Sequence, residues 1–323
     1  MVSQNSEFSL IKTYFSALTS DRDDVILGIG DDCALLQPPA GQLLATSVDT
    51  LVSGVHFFAD VDAYRLGHKC LAVNLSDLAA MGATPAWFTL ALTLPEVDNP
   101  WLKAFSAGIA DLALQHGLQL VGGDTTRGPL TITIQVTGFV EADKAFRRDA
   151  ARPGDKIFVS GTLGDAGAGL LFRQGILPAD NLTAGEQQFL LDRLECPTPR
   201  NHLASQLQAE SPAAIDISDG LLADLQHILT ASQVGATINT EALPLSPVLQ
   251  NLPAEQALKL ALTAGDDYEL CFTVPAAKAA LLTEKLNGQI TCIGEITAGQ
   301  GITLLPDNGQ QNLDLTPGYD HFS

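Results

Sequence analysis

The sequence predicts a two-domain protein of the α/β or α+β class. Three observations carry that reading. Strand-like and helix-like patterns alternate along the chain, Gly and Pro punctuate their ends, and the pattern breaks once, near residues 148–155, before starting afresh. With 323 residues, 46% of them hydrophobic, the chain can fill two cores of about 150 residues each.

The elements follow in order. Residues 43–48 read as a strand and 64–81 as a helix stopped by Gly82, with Pro85 beyond it. Residues 87–94 form a strand that ends at Pro95. Asn99 and Pro100 open a helix that closes at Gly117, beside His116. Residues 118–121 enter a turn at Gly122, Gly123 and Asp124, and 130–140 alternate Ile and Val with Thr and Gln, as a half-buried strand does. Pro153 and Gly154 sit in the break, which places the boundary between domains of residues 1–150 and 151–323. In the second domain, strands are expected at 157–160, 213–217, 268–274 and 291–296. Helices are expected after Gly164 and at 221–232 and 276–286.

Composition excludes several functions. A formal net charge of -20 with no basic run disfavours nucleic acid as a partner. The five cysteines are odd in number and scattered, without a C-x-x-C pair, so a disulfide framework or zinc site is not expected and a reducing compartment is. No apolar run approaches the ~18 residues of a membrane span, and the expectation is a cytoplasmic protein.

The chemistry lies in the acids. Aspartates gather in GIGDD, SVD, NLSD, GGD, DISDG and GDD, at positions read as strand ends and turns. One Asp-Gly is ordinarily a cap or turn former, whereas six such sites are a candidate cluster. Carboxylates about 4 Å apart repel by roughly 4 kcal/mol at an effective dielectric near 20, so a cluster must bind protons or cations. Hard oxygen donors without an EF-hand loop point to Mg²⁺. The chain has no P-loop, dinucleotide fingerprint or protein-kinase signature, so any nucleotide chemistry must rest on another scaffold.

The strings GIGDDCA, NLSDLAAMGA, GGDTTRG, RPGD, DISDGL, DDYEL and GYDHF, in this order, resemble the thiamine-monophosphate kinases from about Glu7 to Phe322. That family shares a superfamily with aminoimidazole ribonucleotide synthetase. The resemblance implies a two-domain fold whose N-terminal sheet forms a barrel across a homodimer, and ATP-dependent phosphorylation of thiamine monophosphate to thiamine diphosphate. It implies Mg²⁺ ligands at Asp32, Ser47, Val48 (through its backbone), Asp49, Asp77, Asp124, Asp216 and Asp219. It further implies ATP contacts at Gly123, Asp124, Arg148 and Ser218, with Asp124 and Arg148 catalytic, and substrate contacts at His56, Asp266 and Tyr319. Two positions depart from the family pattern: Val48 stands where Thr is frequent, and Asp266 where Glu is common. Another superfamily member acting on a different acceptor, and a non-catalytic cation-binding protein, are the alternatives.

Overall fold

The structure is a computed structural model that describes residues 7–16, 18, 21–210 and 212–306. Tyr319 lies outside the described residues. The chain divides into two compact units, one holding the described residues through Leu78 with Gly82–Asp143, the other Ala79–Met81 with the residues from Lys144 onward.

The first unit begins with α1 (Glu7–Leu10) and a short antiparallel pair, β1 (Val25–Leu27) and β2 (Leu35–Leu36). Then come β3 (Gln42–Val52), α2 (Ala63–Ala80), β4 (Thr84–Leu94), α3 (Asn99–His116), β5 (Gln119–Arg127) and β6 (Thr131–Glu141). Asp98 caps α3 by accepting from the Trp101 amide, with Pro100 in the first turn, and Gly117 ends it at φ 63°. The helices α2 and α3 touch backbone to backbone: a Cβ on Gly67 would lie 2.1 Å from the Phe105 carbonyl, and one on Gly108 2.0 Å from that of Tyr64.

The four long strands form an open sheet in the order β3-β6-β4-β5, parallel only between β4 and β5. No closed barrel is formed among the described residues. One face is apolar, with Ile132, Ile134, Val136, Phe88, Leu90 and Leu92 buried. The other is polar, where Thr50 meets Thr133 at 2.8 Å and Gln135 donates to Thr46 at 2.6 Å.

Several expected boundaries differ, among them that of β4, which begins at Thr84 rather than Trp87. The first long strand does not stop at Val48 but runs on to Val52, because every residue through Val52 has a partner on β6. The expected turn at Gly122 to Asp124 is instead strand, since parallel pairing with β4 carries through it. Gly123 makes this close approach: a Cβ there would lie 1.9 Å from the Leu90 carbonyl oxygen.

In the second unit the order is β7 (Lys156–Ser160), α4 (Asp165–Arg173), α5 (Ala184–Glu195), α6 (Asn201–Leu207), β8 (Ala214–Asp216), α7 (Leu221–Ser232) and β9 (Gly235–Asn239). It continues with α8 (Pro247–Gln250), α9 (Ala254–Thr263), β10 (Leu270–Val274), α10 (Ala276–Lys285), β11 (Ile290–Thr297) and β12 (Gly301–Leu305). Six strands pair as β12-β9-β11-β7-β10-β8. Both faces of this sheet are covered. Ile157, Val159, Ile215 and Cys271 pack with Leu225, Ile228 and Leu229 of α7, while Phe158, Leu270, Phe272 and Val274 pack with Leu203, Leu207 and Leu282. Strands buried on both faces read as continuous apolar runs, which is why β7 and β10 lack alternation. No helix among the described residues is long and apolar enough to cross a membrane.

Candidate active site

In the first unit, Ser47 and Asp49 stand two apart on β3. Their partners on β6, Val136 and Ile134, are buried, so both side chains share the apolar face. Helix α2 lies on that face, and the Ser47 hydroxyl donates to the Asp77 carboxylate at 2.5 Å. Burial, reinforced by the charge of Asp77, pushes the Asp49 carboxyl up to about 6. Two carboxyls and a hydroxyl, all oxygen donors, form an electrostatically unfavourable group that a hard divalent cation would relieve.

A stability prediction follows, with its sign set by that shift. A carboxyl whose folded pKa lies above its unfolded value stabilises the fold in its protonated state, and the contribution is lost as pH rises. Protein in EDTA is therefore expected to lose thermal stability as pH rises from the ordinary carboxylate value of 3.8 to about 6. Added Mg²⁺ should recover it most strongly above that window. A recovery by Mg²⁺ that is flat across pH would show that Asp49 carries no such load.

The remaining first-unit candidates are dispersed. Val48 points to the opposite, open face, 58% exposed, so only its backbone could serve beside Ser47 and Asp49. Asp32 is exposed, with its amide donating to Asp31. In a tight turn after β3, the Nδ1 of His56 accepts from the Val52 amide at 3.0 Å. Asp124 is exposed on β5 and pairs with Ala91, which pairs with Thr133, the partner of Thr50, so it stands one residue along from Asp49 and on the polar face. Asp49 and Asp124 thus sit on opposite edges of the sheet, three strand spacings or about 14 Å apart. They do not meet within one chain. Among the described residues no three His, Cys, Asp or Glu side chains are gathered as a metal site.

In the second unit, Asp216 is buried at the end of β8, opposite Leu270 of β10. Ser218, Asp219 and Gly220 follow as a loop, zipped to the segment holding Asp266: the Asp266 amide donates to the Ser218 carbonyl, and that of Tyr268 to the Ile217 carbonyl. Asp266 and Tyr268 both adopt left-handed backbone, with φ of 65° and 50°. Such conformations cost about 1–3 kcal/mol each and persist where surroundings impose them. The Tyr268 hydroxyl donates to the Asp266 carboxylate at 3.1 Å, which steadies the shorter side chain standing where the family commonly has Glu. Arg148 is exposed in a 3-10 turn (Arg148–Ala150), whose Arg148 carbonyl accepts from the Ser232 hydroxyl at 2.7 Å.

Two groups here went unseen in the sequence. One is Asp224, in the first turn of α7, whose Oδ2 accepts from the amides of Ser218, Asp219 and Gly220 at 3.0, 3.0 and 3.1 Å. Burial pushes its carboxyl up to about 7, against the pull of those amides. The signal was present as an acid one turn into the helix after DISDG. The other is a buried ionic group under the glycine-rich loop 161–164. Glu269 accepts from Ser160, Arg193 and Arg200, while Asp267 accepts from the Gly164 amide at 2.6 Å. Nothing local announces it, since Arg193 and Glu269 are 76 residues apart.

Comparison with known proteins agrees with this architecture. Residues 30–140 match the N-terminal domain of the AIR synthase related proteins, and residues 152–306 match their C-terminal domain. A thiamine-monophosphate kinase of Escherichia coli is 50% identical over 322 residues, covering 98% of each chain. The crystal structure of a thiamine-monophosphate kinase from Stenotrophomonas maltophilia superposes with a TM-score of 0.82 at 50% identity, covering 88% of this chain and 92% of that one. A structure described as AaThiL complexed with AMPPCP and TMP superposes with a TM-score of 0.77 at 32% identity, covering 91% and 92%. This chain belongs to the thiamine-monophosphate kinase family, within the AIR synthase related proteins.

Proposed function

We propose that this protein transfers the γ-phosphoryl group of ATP directly to thiamine monophosphate, giving thiamine diphosphate. The observation that carries the proposal is the Ser47, Asp49 and Asp77 group, all oxygen donors and electrostatically unfavourable without a cation. Full-length similarity to thiamine-monophosphate kinases supports it. In the proposal the metal ligands are Asp32, Ser47, the Val48 backbone, Asp49, Asp77, Asp124, Asp216 and Asp219. Gly123, Asp124, Arg148 and Ser218 hold ATP, and His56, Asp266 and Tyr319 hold the thiamine moiety.

The acceptor is a phosphate monoester, so its oxygen attacks without a base to remove a proton. The obstacle is repulsion between two phosphates. Bound Mg²⁺ supplies charge that screens this repulsion. The exposed Arg148 guanidinium adds positive charge toward the transferring group, and the Asp266 carboxylate complements the cationic thiazolium ring. No side chain forms a covalent intermediate. A chirally labelled γ-phosphate should therefore be transferred with inversion, and ADP should form with thiamine monophosphate and not with thiamine. Retention of configuration overturns direct transfer, and absence of ADP overturns the substrate.

The first domain, residues 1–150, is proposed to bind nucleotide and metal and to dimerise, with residues 151–323 forming the second. Its open polar sheet face and two free edges suit a second copy closing the sheet into a barrel. If Asp49 and Asp124 serve one ion, Asp124 of the partner subunit must supply what this chain's own Asp124 cannot reach. The odd, scattered cysteines without a C-x-x-C pair suit a reducing, cytoplasmic compartment.

A further inference from the structure

Consecutive backbone amides at the start of a helix ordinarily make a seat for phosphate. The amides of Ser218, Asp219 and Gly220, at the start of α7, have that form. Here the seat is already filled. All three donate to one oxygen of Asp224, which is 2% exposed. This exceeds ordinary helix capping, in which a first-turn acid reaches back to the cap residue alone. The loop is also wedged from outside: a Cβ on Gly220 would lie 2.7 Å from the Thr263 backbone, and one on Gly265 2.3 Å from the Ser218 carbonyl.

We propose that Asp224 is a positioning residue, whose carboxylate fills the amide seat of residues 218–220 and so fixes the directions of Asp216 and Asp219 toward the cation. The inference rests on the reading of those two acids as metal ligands. It has a consequence for nucleotide binding. With its amides taken by an internal carboxylate, the loop of residues 218–220 offers phosphate no backbone cradle, so Ser218 would reach a phosphate only through its side chain.

The test is chemical rescue. Asp224→Ala removes a carboxylate and leaves a space of formate size beside three amides. Mn²⁺ binding to metal-free protein, read by electron spin resonance, is expected to weaken by about tenfold or more, the scale of losing a ligand-orienting partner. Sodium formate should restore it, whereas sodium chloride at equal ionic strength should not. In turnover with ATP and thiamine monophosphate, kcat should fall and recover with formate, while the KM for thiamine monophosphate stays near wild type. Asp224→Asn, which keeps the shape and one acceptor oxygen, should retain the wild-type melting temperature with an intermediate loss of Mn²⁺ affinity, and it decides the matter where Asp224→Ala does not fold. Wild-type Mn²⁺ affinity in either folded variant, or a loss that formate leaves unchanged, overturns the proposal. A wild-type protein that binds Mn²⁺ but does not phosphorylate thiamine monophosphate would instead defeat the functional reading, with the Mn²⁺ arm still judging Asp224.

Discussion

In the proposed homodimer, an equal mixture of Asp49→Asn and Asp124→Asn chains is expected to recover about one quarter of wild-type activity, because twofold symmetry would give each mixed dimer one intact site of two. Each variant alone should fall by about two to three orders of magnitude, the cost of removing a single charge-stabilising group. The expectation comes from the sheet order β3-β6-β4-β5, which holds Asp49 and Asp124 on opposite edges. Half of the population in an equal mixture is mixed, and only one of its two sites carries both substitutions. Both replacements are close to isosteric. Asp124 is exposed on its edge strand, and Asp49 is relieved of an unfavourable charge, so neither should unfold the chain. Steady-state ADP release after remixing measures the outcome. Complete inactivity of every mixture would show that each chain uses its own pair.

Replacing Arg193 by Met is expected to destabilise the protein by about 3–5 kcal/mol, because it strips a buried ionic group of its central cation. The guanidinium lies 3.0 Å from Glu269, 3.7 Å from Asp165 and 4.0 Å from Asp267, and it also donates to the Thr162 carbonyl. Arg200 would still neutralise Glu269, leaving Asp165 and Asp267 buried. Burial already pushes the Asp267 carboxyl up to about 8. Without Arg193 the folded state holds those protons still more tightly, so the variant should regain stability as pH falls, the opposite of an exposed ion pair. Urea denaturation at two pH values reads both the loss and its sign. A variant as stable as wild type well above pH 8, where Asp267 is ionised, would show that Arg193 does not hold the group together.

Part of this was legible in the sequence. Helix α7 begins and ends where the pattern puts it, at Leu221 and Ser232, and the helices after Gly164 and at Ala276 stand as read. Helices α5 and α9 and strands β9 and β12 are not read from the sequence, although Pro253 and Gly265 flank α9, and Gly301 begins β12 with Pro306 after it. The turn expected at Gly122 to Asp124 became strand because parallel pairing with β4 outweighs local glycine preference. Among the candidate site residues, the structure brings Ser47, Asp49 and Asp77 together, a proximity that no local pattern announces. Asp77 lies within α2, where the helical pattern puts it, and from there it reaches Ser47 thirty residues away.

By itself the sequence determined the alternation of elements, the breaks between them, a donor set made of oxygens, and the ordered strings that mark the family. These are local properties, written in periodicity and turn chemistry over a few residues. Only the tertiary structure decided which acids stand together: Asp77 with Ser47, Asp224 under the loop of Asp219, Glu269 with Arg193, and Asp49 a sheet's width from Asp124. Strand order and buried charge pairing join residues far apart in the chain, and their energies exist only after the backbone has crossed over itself.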